Sequence, residues 1–169
     1  MTPRQVFWDS CVFITLLSKP RDKESLDRQQ VCSLCFQEAI EGNVEIFIST
    51  MTIVEVNRTS ESTSPIPPEV RDKIKKALGQ PFIKVVPADM ARALEARTHI
   101  WDYSWLKPMD ALHLACAIHA HVDEMFTYDG KGEKKGLLDL DSIVGTPPLK
   151  IRHPHFEGTQ PELITSPAV

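Results

Sequence analysis

The chain has 169 residues, 42% of them hydrophobic, enough for one well-buried domain and short for two. Its formal net charge of −4 is the wrong sign for a protein that holds nucleic acid by bulk positive charge. An enzyme that gathers carboxylates around cations escapes that objection, because a bound cation inverts the local charge. No run of eighteen apolar residues predicts a membrane span. The N-terminus lacks the basic segment, apolar run and small-residue cleavage site of a signal peptide. Cys11, Cys32, Cys35 and Cys116, without such a signal, point to reduced thiols and a cytoplasmic location.

Residues 4 to 8, RQVFW, read as a short strand that delivers Asp9 into Ser10 and Cys11, with a short helix over Val12 to Leu17 behind it. An acid and a hydroxyl at this junction either cap the helix or hold a ligand, and the two roles are compatible. Leu26 to Ile40 reads as an amphipathic helix, with Val31, Leu34, Cys35 and Ile40 near one face and Gly42-Asn43 as its stop. Inside it, Cys32 and Cys35 have CxxC spacing. A zinc site needs a second such pair, and a thioredoxin-like pair opens its helix, so packed thiols are expected. Val44 to Ile48 is a second strand, running into a helix that begins at Ser49 or Thr50 and carries Glu55 on its second turn. Thr52 and Glu55 also fit a capping box. Against that, Ile53, Val54 and Val56 predict a helix already buried here, where a carboxylate needs a partner.

Residues 58 to 68, RTSESTSPIPP, read as a mobile loop that serves as a lid, a partner-binding segment or an ordinary connection. A helix over Pro68 to Leu78 ends at Gly79. Phe82 to Val86 is a third strand, and Ala88 to Trp101 a helix with Met90, Ala93, Leu94 and Arg97 at helical spacing. The stretch from Lys107 to Gly132, KPMDALHLACAIHAHVDEMFTYDGKG, is the most informative. Pro108 suits the first turn of a helix that is then apolar almost all round, through Leu112, Leu114, Ala115, Ala117 and Ile118. Glu124 to Tyr128 is a buried strand leading into the turn pair Asp129-Gly130. His113, one turn after Asp110, is expected to pack or orient rather than ligate.

Lys131, Lys134 and Lys135 surround Glu133 in a loop that is either simply solvated or in contact with a phosphate backbone. Leu137 to Ile143 is expected to pack back as a turn. From Gly145 the prolines crowd, predicting an irregular tail. The chain then divides into a domain over 1–145 and a Pro-rich tail over 146–169. His153 and His155 in that tail are weak metal candidates.

Strands alternate with helices throughout, which predicts an α/β fold with a parallel sheet covered on both faces. Asp9, Glu55 and Asp129 each follow a predicted strand, and Asp110 lies in the first turn of its helix. Ligands of such sheets sit outside the carboxyl ends of the strands, so four carboxylates from four segments converge on one edge. Like charges raise one another's pKa, and cations relieve the conflict. Carboxylate and water ligands suit Mg²⁺ or Mn²⁺ rather than zinc. Two such ions roughly 3.5–4 Å apart are the usual arrangement for in-line displacement at phosphorus, one activating water and one stabilising the leaving oxygen.

VFWDSCVF, ISTMTIVEV, KPMDALHLACA and FTYDGKG, in that order, resemble the four acidic motifs of PIN-domain ribonucleases, especially the VapC-like toxin type. The likeness spans roughly residues 4 to 135, and Asp-Ala-Leu-His-Leu-Ala is its strongest segment. It implies a three-layer α/β/α sandwich with a mainly parallel sheet, and an endoribonuclease that hydrolyses RNA phosphodiester bonds with Mg²⁺ or Mn²⁺. By the resemblance, Asp9 and Asp110 ligate metal directly, while Glu55 and Asp129 ligate a second ion or act through water. Ser10, in the place of a frequent Ser or Thr, and Thr127, two residues before Asp129, orient ligands or phosphate, and Lys131 supports the substrate. The resemblance further implies a cognate antitoxin that occupies the active-site groove, and a homodimer. The loop at 59–68 and the tail after Gly145 lie outside the family motifs and are candidates for restricting substrate or partner.

Three other readings compete. A PIN-like module that binds RNA or protein without cutting should have lost an acid, and all four are present. A haloacid-dehalogenase-like phosphatase needs a second Asp two residues after the first, where Cys11 stands. A structural protein whose acids are caps and surface charges requires four coincidences in order. On the nuclease reading, both Asp9→Asn and Asp110→Asn should end cleavage without loss of stability.

Overall fold

The computed structural model describes residues 2–156. Five strands, β1 (Arg4–Trp8), β2 (Val44–Ser49), β3 (Ile83–Val86), β4 (Glu124–Phe126) and β5 (Lys150–Arg152), form one sheet in the order β3-β2-β1-β4-β5. All its neighbours pair in parallel. The central strand carries the VFW run because both its faces are covered, as parallel strands require. Val6, Phe7 and Trp8 are all fully buried. Val6 and Trp8 join the core under α1 (Ser10–Leu17), α2 (Lys23–Ile40) and α4 (Pro68–Leu78), while Phe7 joins that under α5 (Met90–Asp102) and α6 (Pro108–His119). Alternate residues thus feed opposite layers, and the fold is the expected three-layer α/β/α sandwich.

The chain builds from β1 outward to β2 and β3, then crosses to β4 and β5 on the other side. The switch in direction falls between β1 and β4, which is where open α/β sheets open a crevice for ligands. Asp9 follows β1 directly, and its N–H still pairs with the carbonyl of Phe126 at 3.0 Å. Asp129 lies three residues beyond β4.

Several local expectations are corrected. The face of α5 predicted by Met90, Ala93, Leu94 and Arg97 points to solvent, with Met90 75% exposed. The helix instead buries Ala96, whose small side chain lies in the same core as Ala111 and Ala115 of α6 and lets the two helices approach closely. Ile53 and Val54 are 48% and 60% exposed, so α3 (Thr50–Glu55) is not buried on that side. The tail expected to be irregular carries β5, whose Ile151 is buried against β4. Pro161 and Pro167 of that tail lie outside the described residues. The loop over 58–68 is an ordinary but pinned connection. Thr59 is buried, Ser60 N–H donates to Ser18 Oγ at 2.8 Å, and Arg21 donates to Ser60 O at 2.9 Å.

Cys32 and Cys35 are free and buried, as the CxxC reading anticipated. Burial pushes their thiols up to about 11 and about 12, so both stay protonated and unreactive. Among the described residues no helix is long and apolar enough to cross a membrane.

Candidate active site

Asp9 is held by its own neighbourhood. It caps α1, accepting from Ser10 N–H at 2.7 Å, and its other oxygen accepts from Thr127 Oγ at 2.8 Å and Cys11 Sγ at 3.1 Å. Cap and candidate ligand therefore coincide at one position. Thr127 is fully buried and passes the tether on, because its hydroxyl also accepts from Asp129 N–H at 3.1 Å. One hydroxyl thus fixes the acids that follow β1 and β4 relative to each other.

The capping box suggested for Thr52 and Glu55 does not form. Ser49 caps α3, accepting from the N–H groups of Met51 and Thr52 at 3.1 and 3.2 Å. Glu55 is thereby free at the helix end. Its Oε2 accepts from Ser10 Oγ at 2.5 Å and from His113 Nε2 at 2.6 Å. The His113 ring is 1% exposed, and its Nδ1 lies 3.0 Å from Ser49 Oγ. Hydrogen bonding from His113 holds the Glu55 carboxyl below its ordinary range, against the opposing effect of burial. Burial alone would depress His113, but the Glu55 bond and the negative charges of Asp9 and Asp110 outweigh it and raise its pKa.

Asp110 occupies the first turn of α6, where the helix dipole favours an anion. Its carboxyl is nevertheless raised, first by burial and then by the charges of Asp129 and Asp9, with Lys107 opposing. Lys107 Nζ lies 3.5 Å from Asp110 Oδ2 and 3.6 Å from Asp129 Oδ1. The second oxygen of Asp129 is buried without a hydrogen-bond partner. It rests against Gly136, where an added Cβ would come within 2.4 Å of it. Only glycine leaves room for the carboxylate there, and Asp139 holds the turn by accepting from Gly136 N–H at 2.8 Å and Lys131 N–H at 3.1 Å.

Asp9, Asp110 and Asp129 therefore act on one another electrostatically at the crevice, while Glu55 joins them through Ser10 and His113. Lys131 sits on the loop beside Asp139, and among the described residues no ion pair joins it to any of the four acids. The cation that meets them is Lys107, which sequence reading missed because nothing in a lysine before Pro108 marks it. Ser49, Gly136 and Asp139 were also missed. His153 and His155 make packing contacts, their rings against Tyr128 and Phe126.

Among the described residues no three His, Cys, Asp or Glu side chains are gathered closely enough to enclose a metal ion by themselves. The donor set still fits a hard cation that keeps several of its waters, since such an ion needs only one or two carboxylates. An unpartnered buried oxygen on Asp129 and a destabilised charge on Asp110 are what such a cation would satisfy. Lys107 now answers both charges. Its replacement by methionine should tighten Mn²⁺ binding up to about fivefold, the limit for an exposed ion pair. A calorimetric titration of Lys107→Met against the parent chain checks this, and weaker binding would refute it.

A sheet whose crevice gathers acids from four segments defines a class, and the sequence comparison gives the same one. The PIN domain profile matches residues 6–136. The chain belongs to the PIN-domain family. The Mycobacterium tuberculosis toxin VapC20, described as cleaving the sarcin-ricin loop, has a similar fold, with a TM-score of 0.53 over 75% of this chain and 91% of that one. At 12% identity the likeness concerns the fold. No curated protein matches the sequence.

Proposed function

We propose that this chain is a metal-dependent endoribonuclease of the toxin kind, hydrolysing RNA phosphodiester bonds by in-line attack of water. The supporting observation is the convergence of Asp9, Asp110 and Asp129 at the β1/β4 crevice, with a buried Asp129 oxygen lacking any donor. Mg²⁺ or Mn²⁺ bound there supplies an acidified water and neutralises charge on the phosphate. Asp9 and Asp110 would hold the cation, Asp9 with its orientation already fixed by Ser10 N–H and Thr127. Asp129 and Glu55 orient water, Glu55 through its contacts to His113 and Ser10. An antitoxin in the groove, self-association and a cytoplasmic setting complete the proposal, the last in keeping with four unpaired thiols.

Water as nucleophile makes a specific prediction. Cleavage in ¹⁸O-labelled water should leave one ¹⁸O in a product phosphate monoester, with no 2′,3′-cyclic phosphate at either end. Cyclic phosphate ends would mean attack by the ribose hydroxyl and would overturn the mechanism.

A second reading, a PIN-like module that binds RNA or protein without cutting, is favoured by one observation. Lys107 lies within 4 Å of both Asp110 and Asp129 and offsets part of their charge. Calorimetric Mn²⁺ binding separates the two, since only the nuclease needs the ion.

A further inference from the structure

Two open cavities adjoin on the Glu55 side of the site, sharing Ile14 and Ser60 in their linings, and together outline a groove. The nearer, of about 680 Å³, begins at Ser10 and Glu55 and passes Arg58. The farther, of about 340 Å³, continues past Lys19 and Arg21 to Arg28. Its rim is made by two segments distant in sequence that are tied together. Besides the Ser60–Ser18 and Arg21–Ser60 bonds, Lys19 N–H donates to both carboxylate oxygens of Glu61 at 3.2 Å. The loop at 57–61, outside the family's acidic motifs, is thus a fixed wall of the groove.

The charges along it are unequal in what they are free to do. Glu55 is engaged by His113 and Ser10, Asp22 caps α2 by accepting from Ser25 N–H at 2.7 Å, and Glu24 pairs with Arg28. Arg21 is bound to a backbone carbonyl and Arg28 lies over the Tyr128 ring. Arg58 and Lys19 are exposed, and among the described residues neither side chain is in an ion pair, although the Lys19 backbone N–H holds the Glu61 carboxylate nearby. On a chain of net charge −4, the groove leading away from the acids presents two uncommitted cations in succession. Among the described residues Ile14 and Pro20 are its only apolar lining residues, too few to anchor an apolar peptide segment.

We propose that this groove is the track for one flank of a single-stranded RNA substrate, with Arg58 and Lys19 contacting successive phosphates as the strand leaves the cleavage site. The inference rests on the nuclease reading and extends it to the substrate. Contacts of this kind set position and affinity without reading bases, so sequence preference has to arise elsewhere.

The test uses the Asp110→Asn protein, which keeps the groove, and a labelled mixed-sequence RNA strand, with and without the added pair Arg58→Ala and Lys19→Ala. Neither side chain holds the fold together, and melting curves verify that. Losing two phosphate contacts should weaken binding about tenfold. It should also flatten the dependence of log K on log salt by about 1.4, at about 0.7 per phosphate for a single strand. Lys76→Ala, an exposed cation on α4 away from the groove, should change neither. A duplex of the same sequence should bind more weakly than the strand. Unchanged affinity and salt slope in the double variant, while the parent chain cuts RNA, would overturn the track and leave the nuclease standing. Failure of both proteins to bind RNA, with no cutting by the parent chain, would overturn the two together.

Discussion

Asp110→Asn should abolish cleavage, by about 10³-fold or more, while the metal-free protein becomes no less stable. On the proposed mechanism the loss reflects removal of a direct ligand, whose cation is asked for several kcal/mol of transition-state stabilisation. The stability half follows from the raised carboxyl. Burial, Asp129 and Asp9 disfavour the charged form in the folded state, and one lysine opposes them. For an acid with a raised folded pKa, the stability present below its unfolded value is lost as pH rises through the folded one. At neutral pH the neutral amide escapes that penalty. Rates on a single RNA and thermal melts in EDTA measure the two halves. Asp9→Asn should behave differently from the sequence-based expectation, because Asp9 accepts three hydrogen bonds. An amide nitrogen facing Thr127 and Cys11 breaks part of that set, costing about 1–3 kcal/mol. A melt in which Asp110→Asn proves the less stable of the two would contradict this account.

His113→Ala should cost stability and activity together. It opens a void in a fully buried site and removes the partner of Ser49 Oγ and Glu55, an expected loss of about 3–4 kcal/mol. Cleavage should fall about 10–100-fold, the usual effect of losing a group that orients a ligand. His113→Gln, whose amide can still donate to Glu55, should recover part of the activity, which a purely space-filling role would not explain. The pair also fixes a pH window for the metal-free protein. His113 is raised, so its stabilisation is complete below about pH 6.5 and is lost as pH rises through the folded value. Glu55 is lowered, so its share is present above about pH 4.5 and is lost as pH falls through its folded value. Denaturant midpoints across this range should be highest between the two limits, and His113→Gln should lose the alkaline limb.

Strands β1 to β4, the helices and the chain positions of the four acids were legible because each rests on a local pattern. VFW announces a doubly covered strand, Pro108 a helix start, and the Asp-Gly pair after β4 a turn. The face of α5 was not legible, since Met90 and Leu94 satisfy helical spacing while packing chose the small Ala96. β5 was hidden by prolines on either side of a three-residue strand whose order comes from β4. At the site, the acids were visible as residue types and their supports were not. Thr127 could be suspected two residues before Asp129, but Lys107, Ser49 and Gly136 act through contacts across the fold. The groove past Arg58 depends on two loops that only the folded chain brings together.

The most direct test of the central claim is incubation of the purified chain with a mixed-sequence single-stranded RNA in Mn²⁺, Mg²⁺ or EDTA, beside the Asp110→Asn protein. The account predicts endonucleolytic cutting with a divalent ion that stops in EDTA and is absent in the variant. Cutting that persists in EDTA or in Asp110→Asn would contradict it. So would an intact RNA pool together with no calorimetric binding of Mn²⁺.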